Sequence, residues 1–397
     1  MSYTFDDEQS HLNFRATILI FLYGLGAVHG LIISLFLFLG AKQLGANRVM
    51  ALWCLFLSLS FLGGFIYLDK TINVFSFLIG WTYFLPAAYG GLLYLYCKKL
   101  LDRSEFALED TVHLLPLVLC YALNIDILLA PSEQKLSYIL TLPPLTPSFY
   151  ISQAILYLQA IVYFALSIRL LLTYKKSYKE QFSDTTKDKS NWLAILICLS
   201  LVIWLIKMSA SFFVDISWLS NLGSALIVVL IYLIGFMQWL KPQLFVTQGL
   251  MHIPKPLVLS KHLSDLHADA AAQTREERLA LDAETHALFA KVLVDTVKNE
   301  HLYLQESLSL AQVSAQTDIS IHHISETLNH HLEKNFYRFI NEFRIEHFCT
   351  ELASNHQSKI LDLALRSGFS NKSTFNAAFK EFKGLTPSEY RLQLDKE

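Results

Sequence analysis

From residue 16 to residue 240 the chain consists of long apolar runs separated by short polar stretches. Beyond about residue 250 the pattern changes to short amphipathic periods with dense charge. Seven of the apolar runs approach the ~20 residues that a helix needs to cross a bilayer: 16–39, 49–68, 74–96, 112–130, 148–172, 192–213 and 218–237. The fourth is the weakest, because Asn124 and Asp126 interrupt it. One such run alone could be a buried helix of a large soluble core, the lesser of the two readings; seven in series predict a transmembrane bundle over 1–240. The basic residues alternate between the connections. Lys42 and Arg48 lie in the first; Lys98, Lys99 and Arg103 in the third; Lys175, Lys176, Lys179, Lys187 and Lys189 in the fifth. The second and fourth hold one lysine each, Lys70 and Lys135, and the sixth holds none. Positive loops stay cytoplasmic, so the amino terminus is expected outside and the carboxyl tail inside. The polar lead-in carries Asp6, Asp7 and Glu8 rather than a basic stretch, so no cleavable signal peptide is expected.

Downstream, Pro242, Pro254 and Pro256 mark 241–285 as a cytoplasmic linker. An amphipathic helix follows from about residue 280, with Leu281, Leu288, Phe289, Val292 and Leu293 on one side. Its apolar stripe suits packing on the next domain more than pairing two copies of the chain, although a homodimer stays open. Over 286–397 the pattern resolves into two helix-turn-helix units, about 308–330 and 359–382, joined by a longer helix. In the first, Leu310, Ala311 and Val313 mark a short helix, Thr317, Asp318 and Ile319 turn the chain, and Ser320 caps the next helix. Ile321, Ile324 and Leu328 form the buried stripe there. In the connecting helix Phe336, Phe339, Ile340, Phe343, Phe348 and Leu352 recur at helical spacing. The second unit turns at Gly368-Phe369 and buries Phe375, Phe379 and Phe382. Thr386-Pro-Ser-Glu389 reads as a capping box with proline at the first helical position. The expected fold class is therefore all-α: a seven-helix membrane bundle followed by a double helix-turn-helix domain.

Composition sharpens this picture. Of the chain, 53% is hydrophobic and only 17% charged, which excludes an ordinary soluble protein. The five cysteines have no metal or redox spacing. Zinc-protease, phosphate-loop, dinucleotide and kinase motifs do not occur, so no enzyme activity and no cofactor is expected. The adjacent pairs His322-His323 and His330-His331 diverge on a helix, so no shared metal is expected. Polar groups inside spans are costly and often functional. With the stated orientation, Asp126, Lys207, Gln153, Asn221, Trp81 and Tyr83 fall in the outward halves of their segments. They outline a ligand pocket facing outside, with Lys207 and Asp126 as an ion pair. The alternative is that they snorkel to the interface or join helices.

A resemblance covers about the last fifth of the chain. Ala364-Leu-Arg-Ser-Gly-Phe369, Ser373-Thr-Phe375, Ala378-Phe-Lys380 and Gly384-Leu-Thr-Pro-Ser-Glu-Tyr-Arg391 closely resemble the second half of the AraC/XylS family of bacterial transcription regulators. Asn335-Phe-Tyr-Arg-Phe-Ile-Asn-Glu-Phe-Arg-Ile345 resembles the connecting helix of the family's membrane-tethered members. The resemblance implies two recognition helices entering successive major grooves of double-stranded DNA, about one turn (~34 Å) apart. It places His322, Ser325 and Glu326 on the groove side of the first helix, and Lys372, Ser373 and Asn376 on that of the second; by helical spacing Asn329 and Lys380 lie away from the buried stripes as well. Two positions depart from the family. Asp318 stands where glycine is common, and Glu326 is acidic where it would face phosphates. Lys359, Arg366, Lys372, Lys380, Lys383 and Arg391 outnumber Asp362, Glu381 and Glu389, so the second unit is expected to supply most phosphate-driven affinity. The implied protein is a multi-pass regulator in the bacterial inner membrane with its DNA-binding domain in the cytoplasm. Its partners would be promoter DNA, the lipid bilayer, RNA polymerase and a small-molecule or membrane signal. The competing readings are a transporter or membrane enzyme with a regulatory DNA-binding tail, and a scaffold that anchors DNA.

Overall fold

The computed structural model describes residues 3–39, 45–68, 75–78, 80–102, 104–141, 146–183, 187–212, 217–240, 283–355 and 357–394. Almost all of the 241–285 linker lies outside the described residues, as do Lys42, Lys70, Arg103, Asp215 and Leu281. The chain divides into two compact units, 1–172 with 189–253 and 173–188 with 254–397. Among the described residues the elements are helical, apart from one isolated bridge between Phe182 and Ser309.

In the first unit the long helices are α1 (Tyr3–Leu39), α2 (Gly45–Leu68), α7 (Pro147–Gln181), α8 (Lys187–Phe212) and α9 (Ser217–Leu240). Each contains a stretch long and apolar enough to span a membrane: Thr17–Leu39, Gly45–Leu68, Pro147–Gln181, Lys189–Phe212 and Trp218–Leu240. Their exposed apolar side chains, such as Phe36, Leu158 and Val229, suit a hydrocarbon solvent.

Among the described residues there are five such helices where seven were expected, and the difference lies in the third and fourth runs. The third begins as 3₁₀ turns at Ser76–Leu78 and Leu85–Ala88 and becomes α-helical only over α3 (Tyr89–Asp102), 14 residues long. Pro86 lies in the first turn of the second 3₁₀ segment. It starts a helix here rather than kinking one, because proline lacks the N–H that an interior position needs. The fourth run is α4 (Leu115–Leu123) and α5 (Ile125–Leu129), broken at Asn124. The Asn124 amide donates to Cys120 O at 2.8 Å and to Ser152 Oγ at 2.7 Å, a side-chain bond to the backbone of the kind that competes with helix. Then α6 (Ser132–Thr141) leads to α7.

The second unit contains α10 (Ala283–Asn299), α11 (Leu310–Thr317), α12 (Ile321–Glu326), α13 (Phe336–Ser354), α14 (Ile360–Arg366), α15 (Lys372–Lys383) and α16 (Pro387–Leu394). Two apolar clusters form its core. One gathers Leu293 and Val297 of α10, Val313, Ile324, Leu328 and the first half of α13. The other gathers Ile345, Phe348 and Leu352 of α13 with Leu363, Phe369, Phe375 and Phe379. The connecting helix thus belongs to both cores and fixes the two helix-turn-helix units on one rod. The amphipathic helix α10 packs on the first core through Leu293, with Phe289 and Val292 partly buried against it, while Leu288 stays exposed.

The last turns of α7 and the residues after it, 173–183, fold with this second unit. Ser183 is fully buried. Its backbone N–H donates to Leu308 O at 3.1 Å, and its carbonyl accepts from Asn341 Nδ2 at 3.0 Å and Arg344 Nη1 at 3.2 Å. Its hydroxyl accepts from Arg344 Nη2 at 3.0 Å. Lys179 Nζ lies 5.3 Å from the centre of the Tyr337 ring. The sequence-based domain boundary at 286 misses this segment.

Candidate nucleic-acid interface and membrane cavity

The turn of each helix-turn-helix unit depends on one left-handed residue. In the first, Asp318 has φ 54°, a conformation Asp tolerates better than most residues. In the second, Gly368 has φ +90°, and a Cβ there would meet Tyr303 O at 2.3 Å, so only glycine fits. The caps lie where the sequence suggests. Ser320 Oγ accepts from His323 N at 3.2 Å. Glu389 Oε2 accepts from Thr386 N at 2.7 Å, and Thr386 Oγ1 accepts from Glu389 N at 3.3 Å. The Thr386 backbone N–H holds the Glu389 carboxyl below its ordinary pKa, and the Thr386 hydroxyl adds to this. Further caps went unread. Ser309 and Gln312 form a second capping box, Asn335 Oδ1 accepts from Arg338 N, and Asn371 Oδ1 accepts from Thr374 N.

On α15, Thr374, Phe375, Ala378 and Phe379 are buried, whereas Lys372, Ser373, Asn376 and Lys380 are all exposed. Four polar side chains therefore share the open side of one helix, two of them cationic, with two amphoteric hydrogen-bonding groups between. That chemistry suits phosphate contact by lysine and base-edge contact by asparagine.

The first unit differs. Its second helix, α12, is six residues long and runs into a π turn at Thr327–His331. His322 and Asn329 are exposed, and Ser325 Oγ accepts from Asn329 Nδ2 at 3.4 Å. Glu326 is largely covered. Its Oε2 lies 3.8 Å from Nδ1 of both His322 and His323, and its Oε1 lies 3.8 Å from His286 Nε2 of α10. The neighbouring imidazoles converge on this carboxylate instead of diverging, so His322, His323 and Glu326 have the donor atoms a metal ion would need within 4.8 Å of one another. The fully buried Arg344 lies between the two cores. It donates to Tyr303 O at 2.7 Å and Gln305 O at 2.6 Å as well as to Ser183, and its guanidinium lies 5.7 Å from the Phe369 ring centre.

In the first unit, three of the expected polar residues meet at one cavity of about 430 Å³: Tyr83, Gln153 and Lys207. Gln153 Nε2 donates to Tyr83 OH at 3.0 Å. Asp126, Asn221 and Trp81 do not line it. Asp126 is exposed on α5, and Lys207 makes no ion pair with it among the described residues; Lys207 Nζ donates to Ser220 O at 3.0 Å and Ser224 Oγ at 2.7 Å. The sequence reading missed Trp53, Gln159, Ser200 and Trp204, which also line the cavity. Trp, Gln and Ser are ordinary in apolar helices, so only their convergence distinguishes them.

Residues 313–393 match a family model described as a helix-turn-helix domain. No solved structure was found to match the chain. The carboxyl-terminal unit therefore carries a DNA-binding helix-turn-helix domain, on the same chain as, among the described residues, five helices long and apolar enough to span a membrane.

Proposed function

We propose that this protein is a membrane-anchored, sequence-specific transcription regulator of the AraC/XylS type that couples a signal at the membrane to promoter binding. The observation that carries the reading is the exposed set Lys372, Ser373, Asn376 and Lys380 on a helix-turn-helix scaffold that continues from spanning-length apolar helices. Sidedness follows with little dependence on the span count. Loop charge puts the connections around Lys42 and at 173–188 in the cytoplasm. If the third and fourth runs cross, there are seven spans; if neither crosses, there are five. Both counts are odd, and both put the amino terminus outside and the DNA-binding unit inside. The remaining partners follow from this role: promoter DNA, the bilayer of the bacterial inner membrane, RNA polymerase, and a second copy of the chain at paired half-sites.

The test is footprinting of genomic fragments by the full chain in membrane vesicles, with a promoter reporter for each site found. Discrete protected sites, and reporter output that changes when the gene is deleted, are the expected result. Uniform protection of all fragments would reduce the protein to a scaffold. Protected sites with no change in any reporter would remove the regulatory role.

A further inference from the structure

The cavity in the membrane unit is surrounded by hydrogen-bonding groups that the protein itself leaves unpaired. Among the described residues the indole N–H groups of Trp53 and Trp204, Oε1 of Gln159 and Oγ of Ser200 are buried without a partner, and all four residues line the same space. Trp53, Gln159 and Ser200 are each more than nine-tenths buried. A buried polar group without a partner is destabilising, and these four belong to residues that line one space. Lys207 adds charge. An ammonium has three N–H donors, and two are met by the neutral oxygens of Ser220 and Ser224. No carboxylate lies within ion-pair distance of it among the described residues. Much of the rest of the wall is aromatic or aliphatic, including Phe61, Tyr157 and Phe164, with Ser60, Gln153 and Ser211 among it, and the volume falls in the range of small-molecule sites.

We propose that this cavity binds a small amphipathic carboxylate, its anionic head against Lys207, its apolar body between the aromatic walls, and a hydroxyl or amide N–H of its own donating to Gln159. Among the groups named, donors outnumber acceptors, because Lys207, Trp53 and Trp204 only donate, Gln159 Oε1 only accepts and the Ser200 hydroxyl can do either. The occupant is therefore rich in acceptors and carries at least one donor. A single cation matches a monoanion and leaves a phosphate dianion under-compensated. The assignment deepens the proposed sensing role and rests on it, since a ligand held among the helices can favour one arrangement of the bundle only by binding it more tightly than the other.

The experiment uses the full chain in nanodiscs of zwitterionic lipid, with tryptophan fluorescence as the readout and Trp204→Phe as the control that locates the signal. The probes are decanoate, hydroxydecanoate and phenylpropionate, each beside the alcohol of the same skeleton. At least one acid should bind saturably and roughly tenfold or more tighter than its alcohol, the size expected of one charge-assisted contact. Lys207→Met should abolish that preference and Lys207→Arg should keep it. Gln159→Leu should weaken hydroxydecanoate relative to decanoate, which tests the site without touching the charge. Preference for phenylpropionate would identify a water-borne acid, and preference for the acyl acids a membrane-borne one. Competition by added anionic phospholipid that outdoes every carboxylate would overturn the assignment. So would equal binding of each acid and its alcohol, an unsaturable signal, or a preference that survives Lys207→Met. Footprinting of DNA by the same preparation reports separately, so a failed ligand assignment leaves the regulator reading testable on its own.

Discussion

At the residue scale the proposed DNA interface would divide its labour unequally between α12 and α15. Lys372 and Lys380 are exposed cations that suit phosphate, while Asn376 between them suits a base edge. Lys372→Ala and Lys380→Ala should each weaken binding to specific and random DNA alike and lower the salt slope by about one. Asn376→Ala should instead change base preference, by about 1–3 kcal/mol at one position. Binding titrations at several salt concentrations separate the two; equal loss on specific and random DNA for Asn376→Ala would remove its reading role. The exposed set on α15 was legible because Phe375 and Phe379 fix which side is buried. Glu326 was not, because its surroundings come from His286, forty residues upstream on another helix, and from a π turn that helical periodicity does not show.

Elements were legible where local chemistry decides them. Ser320, Asp318, Gly368 and the Thr386–Glu389 box all act within a few residues of themselves, so spacing suffices to find them. The interruption of the fourth run was legible in Asn124 and Asp126, but the bond from Asn124 across to Ser152 and the 3₁₀ start of the third run were not, since hydropathy counts apolar residues and takes no account of contacts between helices. The connecting helix α13 hid its most consequential residue for the same reason. Arg344 in a sequence of alternating aromatic and charged residues looks like a solvated position, yet it is buried and donates to the carbonyls of Tyr303, Gln305 and Ser183. Arg344→Met removes those donors while keeping much of the side chain's bulk. It should destabilise the carboxyl-terminal unit by at least about 3 kcal/mol, given about 1.5–3 kcal/mol for each hydrogen bond to a charged group. Amide hydrogen exchange on the full chain measures this as lost protection along α13; unchanged protection would show the guanidinium to be dispensable.

At the scale of the whole molecule, the number of crossings separates two topologies that agree on everything else. A reporter fused after Arg103 should read as cytoplasmic if the third and fourth runs both cross, and as exported if neither does. Fusions after Lys187 should read as cytoplasmic in both cases, and an exported reading there would overturn the orientation itself. The sequence located both halves of the molecule from hydropathy and helix spacing, but it drew the border between them as a single cut in the linker. The insertion of Ser183 shows that the DNA-binding domain is discontinuous in the chain: a segment from between two apolar helices supplies part of its interior. A protease cutting the linker would therefore not liberate a finished domain. The severed 283–397 piece would either stay bound through the Ser183 contacts or leave with Arg344, Asn341 and Leu308 O stripped of their partners. For the membrane-anchored regulator proposed above, release of a soluble fragment would thus be a poor route from signal to promoter, and the DNA would have to come to the membrane.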